Sequence, residues 1–132
     1  MKYFTILILF LYSSDSWSAS NFYDNALNNF YDTRYETAIK YLEKEIVFNP
    51  KSSESFILLG KSYEKIDDLN TANKYYNIAF TLVPHSLELN FLLGKTAHKL
   101  GNIEDYAEFI SNLEILCDSE CKEINNLKLL AE

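Results

Sequence analysis

From about residue 20 onward, apolar side chains recur at steps of three and four, the spacing of helices that bury one face. Phe22, Tyr23, Ala26, Leu27, Phe30 and Tyr31 make one wide apolar stripe; Phe56, Leu59 and Tyr63 make a second; Ile124, Leu127, Leu130 and Ala131 make a last, amphipathic one. Asp32-Thr33, Asp67-Asp68 and Gly101-Asn102 supply turn chemistry between stripes. Ser52 or Ser53, followed by Glu54, is placed to cap a helix start. A succession of helices joined by short turns is predicted.

The opening of the chain is patterned differently. Lys2 is followed by an uncharged run from Tyr3 to Tyr12, apolar on every face, and then by Ser13, Ser14, Asp15, Ser16, Trp17, Ser18 and Ala19. Ten residues are too few to cross a bilayer, which takes about 20, but they suit the hydrophobic region of a secretory signal peptide. Cleavage is expected after Ser18 or Ala19. The alternative, a buried N-terminal helix, lacks the polar stripe a surface helix would carry. Residues 1–19 are therefore read as a signal peptide and 20–132 as the working domain, periplasmic or secreted, with no membrane anchor left after cleavage.

One constant interval, about 34 residues, runs through that domain and separates Pro50 from Pro84, Ala38 from Ala72, Ala26 from Gly60, and Gly60 from Gly94. The clearest unit, Ser53 to Ser86, carries Phe56, Leu59-Gly60, Tyr63, Ala72, Tyr76, Ala79 and Pro84 in turn. This order and spacing resembles the tetratricopeptide repeat (TPR). Small residues such as Gly60 and Ala72 let two antiparallel helices approach closely, and Pro84 ends the second helix. The first unit matches at Phe22, Ala26, Ala38, Leu42 and Pro50. Asn25 and Asn29, however, stand where apolar residues are expected, so its first helix reads as in frame or shifted by one. The third unit matches at Leu93-Gly94 and Gly101-Asn102-Ile103, but Tyr106 takes the place of the small residue, Ala107 comes one position late, and Asp118 replaces the terminal Pro. The resemblance implies an all-α TPR-type α-solenoid with repeats at about 19–52, 53–86 and 87–120. Residues of about 121–132 form the capping helix that covers the open end of such a stack.

Composition agrees with an ordered helical domain: 48% of residues are apolar, 23% charged, and only three are Gly and two Pro. A net charge of -7 argues against nucleic acid, whose phosphates need clustered cations, and against anionic membrane surfaces.

Cys117 and Cys121 are the only cysteines, at the junction of the third repeat and the cap. In an exported protein a pair is expected to oxidise, and a structural disulfide pinning the cap is the favoured reading. A redox-active pair, a metal site and two free thiols are the alternatives. A zinc ion would need two further ligands, and no other Cys or His lies nearby in sequence.

No nucleophile motif, phosphate loop or metal-spaced His cluster is present. His85 follows Pro84 in a turn, and the carboxylates are scattered at helical-surface spacing. No catalytic residue, metal or cofactor is expected, and the chain is not read as an enzyme. What the resemblance does imply is a concave groove lined by first-helix side chains: Tyr23, Leu27, Phe30 and Tyr31; Ile57, Lys61, Glu64 and Lys65; Phe91, Lys95, His98 and Lys99. Such a groove is aromatic at one end and basic at the other, suited to a protein or peptide partner with apolar anchors and an acidic stretch. The TPR modules that clamp acidic C-termini of cytosolic chaperones use Lys, Asn, Asn, Lys and Arg. The matching places here hold Tyr23, Leu27, Leu58, Glu88 and Leu92, so that clamp is absent. Three readings follow: an adaptor or scaffold holding a client segment, a homodimer or other self-associating component built through the apolar face of the first unit, and a thiol redox protein.

Overall fold

Thr33, Asp67 and Gly101, spaced by one repeat period in succession, have positive φ values of 60°, 62° and 74°, and each reverses the chain between two antiparallel helices. In a computed structural model describing residues 20–117 and 121–130, the helices are α1 (Ser20–Tyr31), α2 (Tyr35–Phe48), α3 (Ser53–Lys65), α4 (Leu69–Leu82), α5 (Leu87–Leu100), α6 (Ile103–Leu116) and α7 (Lys122–Leu129). The segment read in sequence as a signal peptide, residues 1–19, lies outside the described residues, as do Asp118 and Ala131.

The three reversals share one hydrogen-bond pattern. Thr33 N–H donates to Phe30 O and Arg34 N–H to Asn29 O; Asp67 and Asp68 donate likewise to Glu64 and Tyr63, and Gly101 and Asn102 to His98 and Ala97. These are the paired bonds that close a helix with a left-handed residue. Gly101 adopts that conformation freely, whereas the β-branched Thr33 adopts it under strain.

Caps repeat as well. The Asp68 and Asn102 side chains accept from Thr71 N–H at 3.1 Å and Asp105 N–H at 3.2 Å. Arg34, in the same place, makes no cap bond and pairs with Asp32 at 2.6 Å instead. The starts of α3 and α5 are capped by Ser52 and Ser86, which accept from Ser55 and Leu89 N–H. Asn49 and Val83 end α2 and α4 just before Pro50 and Pro84, where a following proline disfavours the helical conformation.

Successive hairpins α1–α2, α3–α4 and α5–α6 stack side by side, each helix packing on its neighbours in the chain, and α7 packs on α5 and α6. Ala26, Ala38, Leu42, Leu59, Ala72 and Leu93 are fully buried. Close approach is literal at Gly60, where an added Cβ would overlap the ring of Tyr76 from α4. α7 takes the place of a fourth first helix, since Leu127 stands one repeat period beyond Leu93 and is likewise fully buried.

The departures from the repeat have physical causes. Asn25 is equivalent to the buried Leu59 and Leu93, but no described helix packs ahead of α1. Its amide donates to Asn21 O at 2.6 Å, and that of Asn29 to Asn25 O at 2.7 Å, so these side chains close on their own helix. Ala26 and Thr33 hold their equivalent places, which keeps α1 in frame rather than shifted by one. Tyr106, standing where Ala38 and Ala72 stand earlier, turns toward α7 and donates its hydroxyl hydrogen to Leu127 O at 2.9 Å. Cys117 ends α6, Cys121 precedes α7, and the two are joined by a disulfide with Cα atoms 5.9 Å apart.

Candidate functional site

Because the repeat carries each position of α3 onto an equivalent position of α5, Lys61 and Lys65 recur as Lys95 and Lys99, which places like charges on adjacent helices. Between them stands Glu64. Its Oε1 is 2.8 Å from Lys95 Nζ and 3.0 Å from Lys99 Nζ, while its Oε2 accepts from the Tyr76 hydroxyl of α4 at 3.1 Å. Lys61 pairs with Glu88 of α5 at 2.5 Å, and Lys65 makes no ion pair among the described residues.

Glu64 and the four lysines rim a depression of about 400 Å³. Phe30 of α1 and Leu92 of α5 form its apolar part; Lys61, Glu64, Lys65, Lys95 and Lys99, with Asp67 from the α3–α4 turn, form its polar part. Three first helices thus meet in one recess. The Phe30 ring meets Tyr31 edge-on, with centroids 6.0 Å apart, and Tyr31 is 74% exposed.

Burial pushes the Glu64 carboxyl upward, but the hydrogen bonds and charges of Lys95 and Lys99 outweigh it and leave it below its ordinary value. Tyr76, fully buried, is raised far above the ordinary phenol by burial and then by the Glu64 charge. The carboxylate is thereby held ionised and the phenol held neutral, the pairing that lets Tyr76 donate and Glu64 accept.

Of the residues anticipated for the groove, Phe30, Lys61, Glu64, Lys65, Lys95 and Lys99 come together here. Tyr23, Leu27 and Ile57 are half-buried against the core. Phe91 lies under Lys95, with Nζ 5.9 Å from its ring centroid, and His98 packs on Tyr106 of α6 at 5.3 Å between centroids. Asp67 lines the recess without having been assigned to it from sequence, and Leu92, named in sequence only as a replacement at a clamp position, lines it too. Leu92 is 6% exposed and, with Phe30, supplies the apolar lining of the recess.

Among the described residues no group of three or more His, Cys, Asp and Glu side chains is placed to hold a metal ion, and no helix is long and apolar enough to cross a membrane.

No protein-family model matches the chain, and no curated protein matches it by sequence. Solved structures do match in shape. The first TPR of Spaghetti (RPAP3), bound to the HSP90 peptide SRMEEVD, superposes with a TM-score of 0.77 at 17% identity, covering 89% of this chain and 93% of that one. The second TPR domain of human RPAP3, in complex with the HSP70 peptide SGPTIEEVD, gives 0.77 at 18% identity, covering 86% and 95%. The Yersinia enterocolitica type III secretion chaperone SycD, in complex with a peptide of the translocator YopD, gives 0.74 at 18%, covering 91% and 98%.

Proposed function

From a chain that folds as a TPR-type solenoid, we propose a binding module that holds a protein or peptide segment in the recess between α1, α3 and α5. The carrying observation is the recess itself, in which Phe30 and Leu92 lie beside a set of lysines contributed by two helices. Apolar anchors with flanking charges are how grooves between helices select segments. That all three neighbours named above were solved with peptides supports this reading. The mode differs from the acidic C-terminal clamp, because Tyr23, Leu27, Leu58, Glu88 and Leu92 replace its polar set.

Photocrosslinkers at Lys65 and Lys99, against one at Val47, which is 74% exposed on α2, test the reading in the producing cell. A partner trapped from positions 65 and 99, and not from 47, is expected, with trapping reduced by Phe30→Ser. Trapping from position 47 alone would dismiss the recess.

We also place the module outside the cytoplasm. The uncharged run Tyr3–Tyr12 behind Lys2 and the bridged Cys117 and Cys121 support that location, since disulfides persist in oxidising compartments. N-terminal sequencing of the native protein is expected to begin at Ala19 or Ser20; an intact N-terminus in the cytosolic fraction would exclude it.

A further inference from the structure

We infer that Glu64 is an internal competitor for the groove's lysines, tuning the recess toward segments with few acidic groups and against densely acidic ones. This deepens the binding reading and rests on it.

Repeat position sets the argument. The residues one period before and one period after Glu64 are Phe30 and His98, so repeat two alone puts a carboxylate at this place. There it meets both lysines of the following helix through one oxygen, at 2.8 Å and 3.0 Å. Its other oxygen is fixed by Tyr76, whose buried ring lies over Gly60. Glu64, with a side chain 13% exposed, is therefore anchored from below and cannot swing out with an arriving ligand.

The lysines remain reachable. The side chains of Lys99 and Lys61 are 44% and 35% exposed, and an ammonium has three donors, of which Glu64 takes one on Lys99 and Glu88 one on Lys61. A carboxylate on a bound segment finds donors free on these lysines. It also meets the Glu64 charge a few ångströms away, a like-charge contact at a partly exposed site. One such carboxylate is accommodated by Lys65 and Lys61 at the rim; a second is driven against Glu64. Glutamine at this position would keep the shape and the Tyr76 bond while leaving Lys95 and Lys99 uncompensated.

The test uses an array of labelled nonapeptides built around a central Leu with zero to four Glu, probed with the wild-type domain and with Glu64→Gln. Peptides with two or more Glu are expected to bind Glu64→Gln about five- to tenfold more tightly than wild type, the scale of one partly exposed charge pair. Peptides without Glu should bind both proteins alike. Equal or weaker binding of the acidic peptides by the variant overturns the inference and leaves the groove reading standing. Binding of no peptide by either protein overturns both. Should Glu64→Gln not fold, Lys99→Met, at an exposed position, is expected to weaken the acidic peptides by a similar factor and spare the neutral ones. An unchanged array with that variant would equally overturn the inference.

Discussion

Leu127 fills the space that a side chain on Gly94 would need: a Cβ there would come within 2.6 Å of Leu127 Cδ2 and 3.2 Å of Phe109 Cβ. The last helix is thus docked by one leucine over one glycine. In α7, Leu127 is the only residue among those described that is buried. Leu127→Ala is expected to cost about 2–4 kcal/mol, the range for deleting a buried leucine. Urea unfolding monitored by circular dichroism checks it; a loss under about 1 kcal/mol would mean that α7 contributes little to the stack.

Thr33 offers the opposite sign. It holds φ at 60°, where a β-branched residue is strained and glycine is not. The equivalent Gly101 has φ of 74° with open space around it. Thr33→Gly is expected to stabilise by about 0.5–1 kcal/mol after the extra chain entropy of glycine is subtracted. Gly101→Ala is expected to destabilise by a similar amount, and thermal melts of the two variants should move in opposite directions.

That the turns and caps were legible in sequence follows from their locality. Pro50 and Pro84, Ser52 and Asp67-Asp68 act within a few residues of where they stand, so their chemistry reads directly as structure, whereas Gly60, which meets Tyr76 on another helix, was legible only through the repeat spacing. Glu64 could be assigned to the groove from its place on the first helix, but not to its partners. Lys95 and Lys99 lie on the next hairpin, and only the offset between hairpins decides that both reach one oxygen. The reading of a basic end was accordingly incomplete: Lys61, Lys95 and Lys99 are each paired with a carboxylate, and the aromatic Phe30 lies beside them rather than at a separate end. Tyr106 was legible as a departure from the repeat but not as a bond to α7, because its acceptor is a backbone carbonyl in another helix.

The Glu64–Tyr76 pair sets the response to pH. A carboxyl held below its ordinary value contributes stability above the unfolded value of about 4.5, lost as pH falls through the lower folded value. A phenol held above its ordinary value contributes stability below pH 10.0, lost progressively above it, because the unfolded chain then releases a proton the folded one retains. Glu64→Gln should flatten the acid side of the stability profile, and Tyr76→Phe the alkaline side. Unfolding free energies measured from about pH 3 to 11, a range that brackets both ordinary values, decide it; an acid limb unchanged in Glu64→Gln would mean that other carboxylates govern that limb.

The disulfide acts on the same helix that Leu127 docks. Cys117 caps the end of α6 and Cys121 the start of α7, so the bridge closes a short loop whose chain-entropy contribution is only about 2 kcal/mol. Replacing both cysteines by serine is therefore expected to loosen α7 locally. Amide exchange in Lys122–Leu129 should accelerate, while α3 and α4, which pack through Gly60 and Tyr76, keep their protection. A redox catalyst would behave otherwise, since replacing the pair would abolish activity without selectively loosening the cap. Exchange that accelerates equally in α3 and α7 would show the bridge to stabilise the stack as a whole, making the hairpins and the cap one cooperative unit.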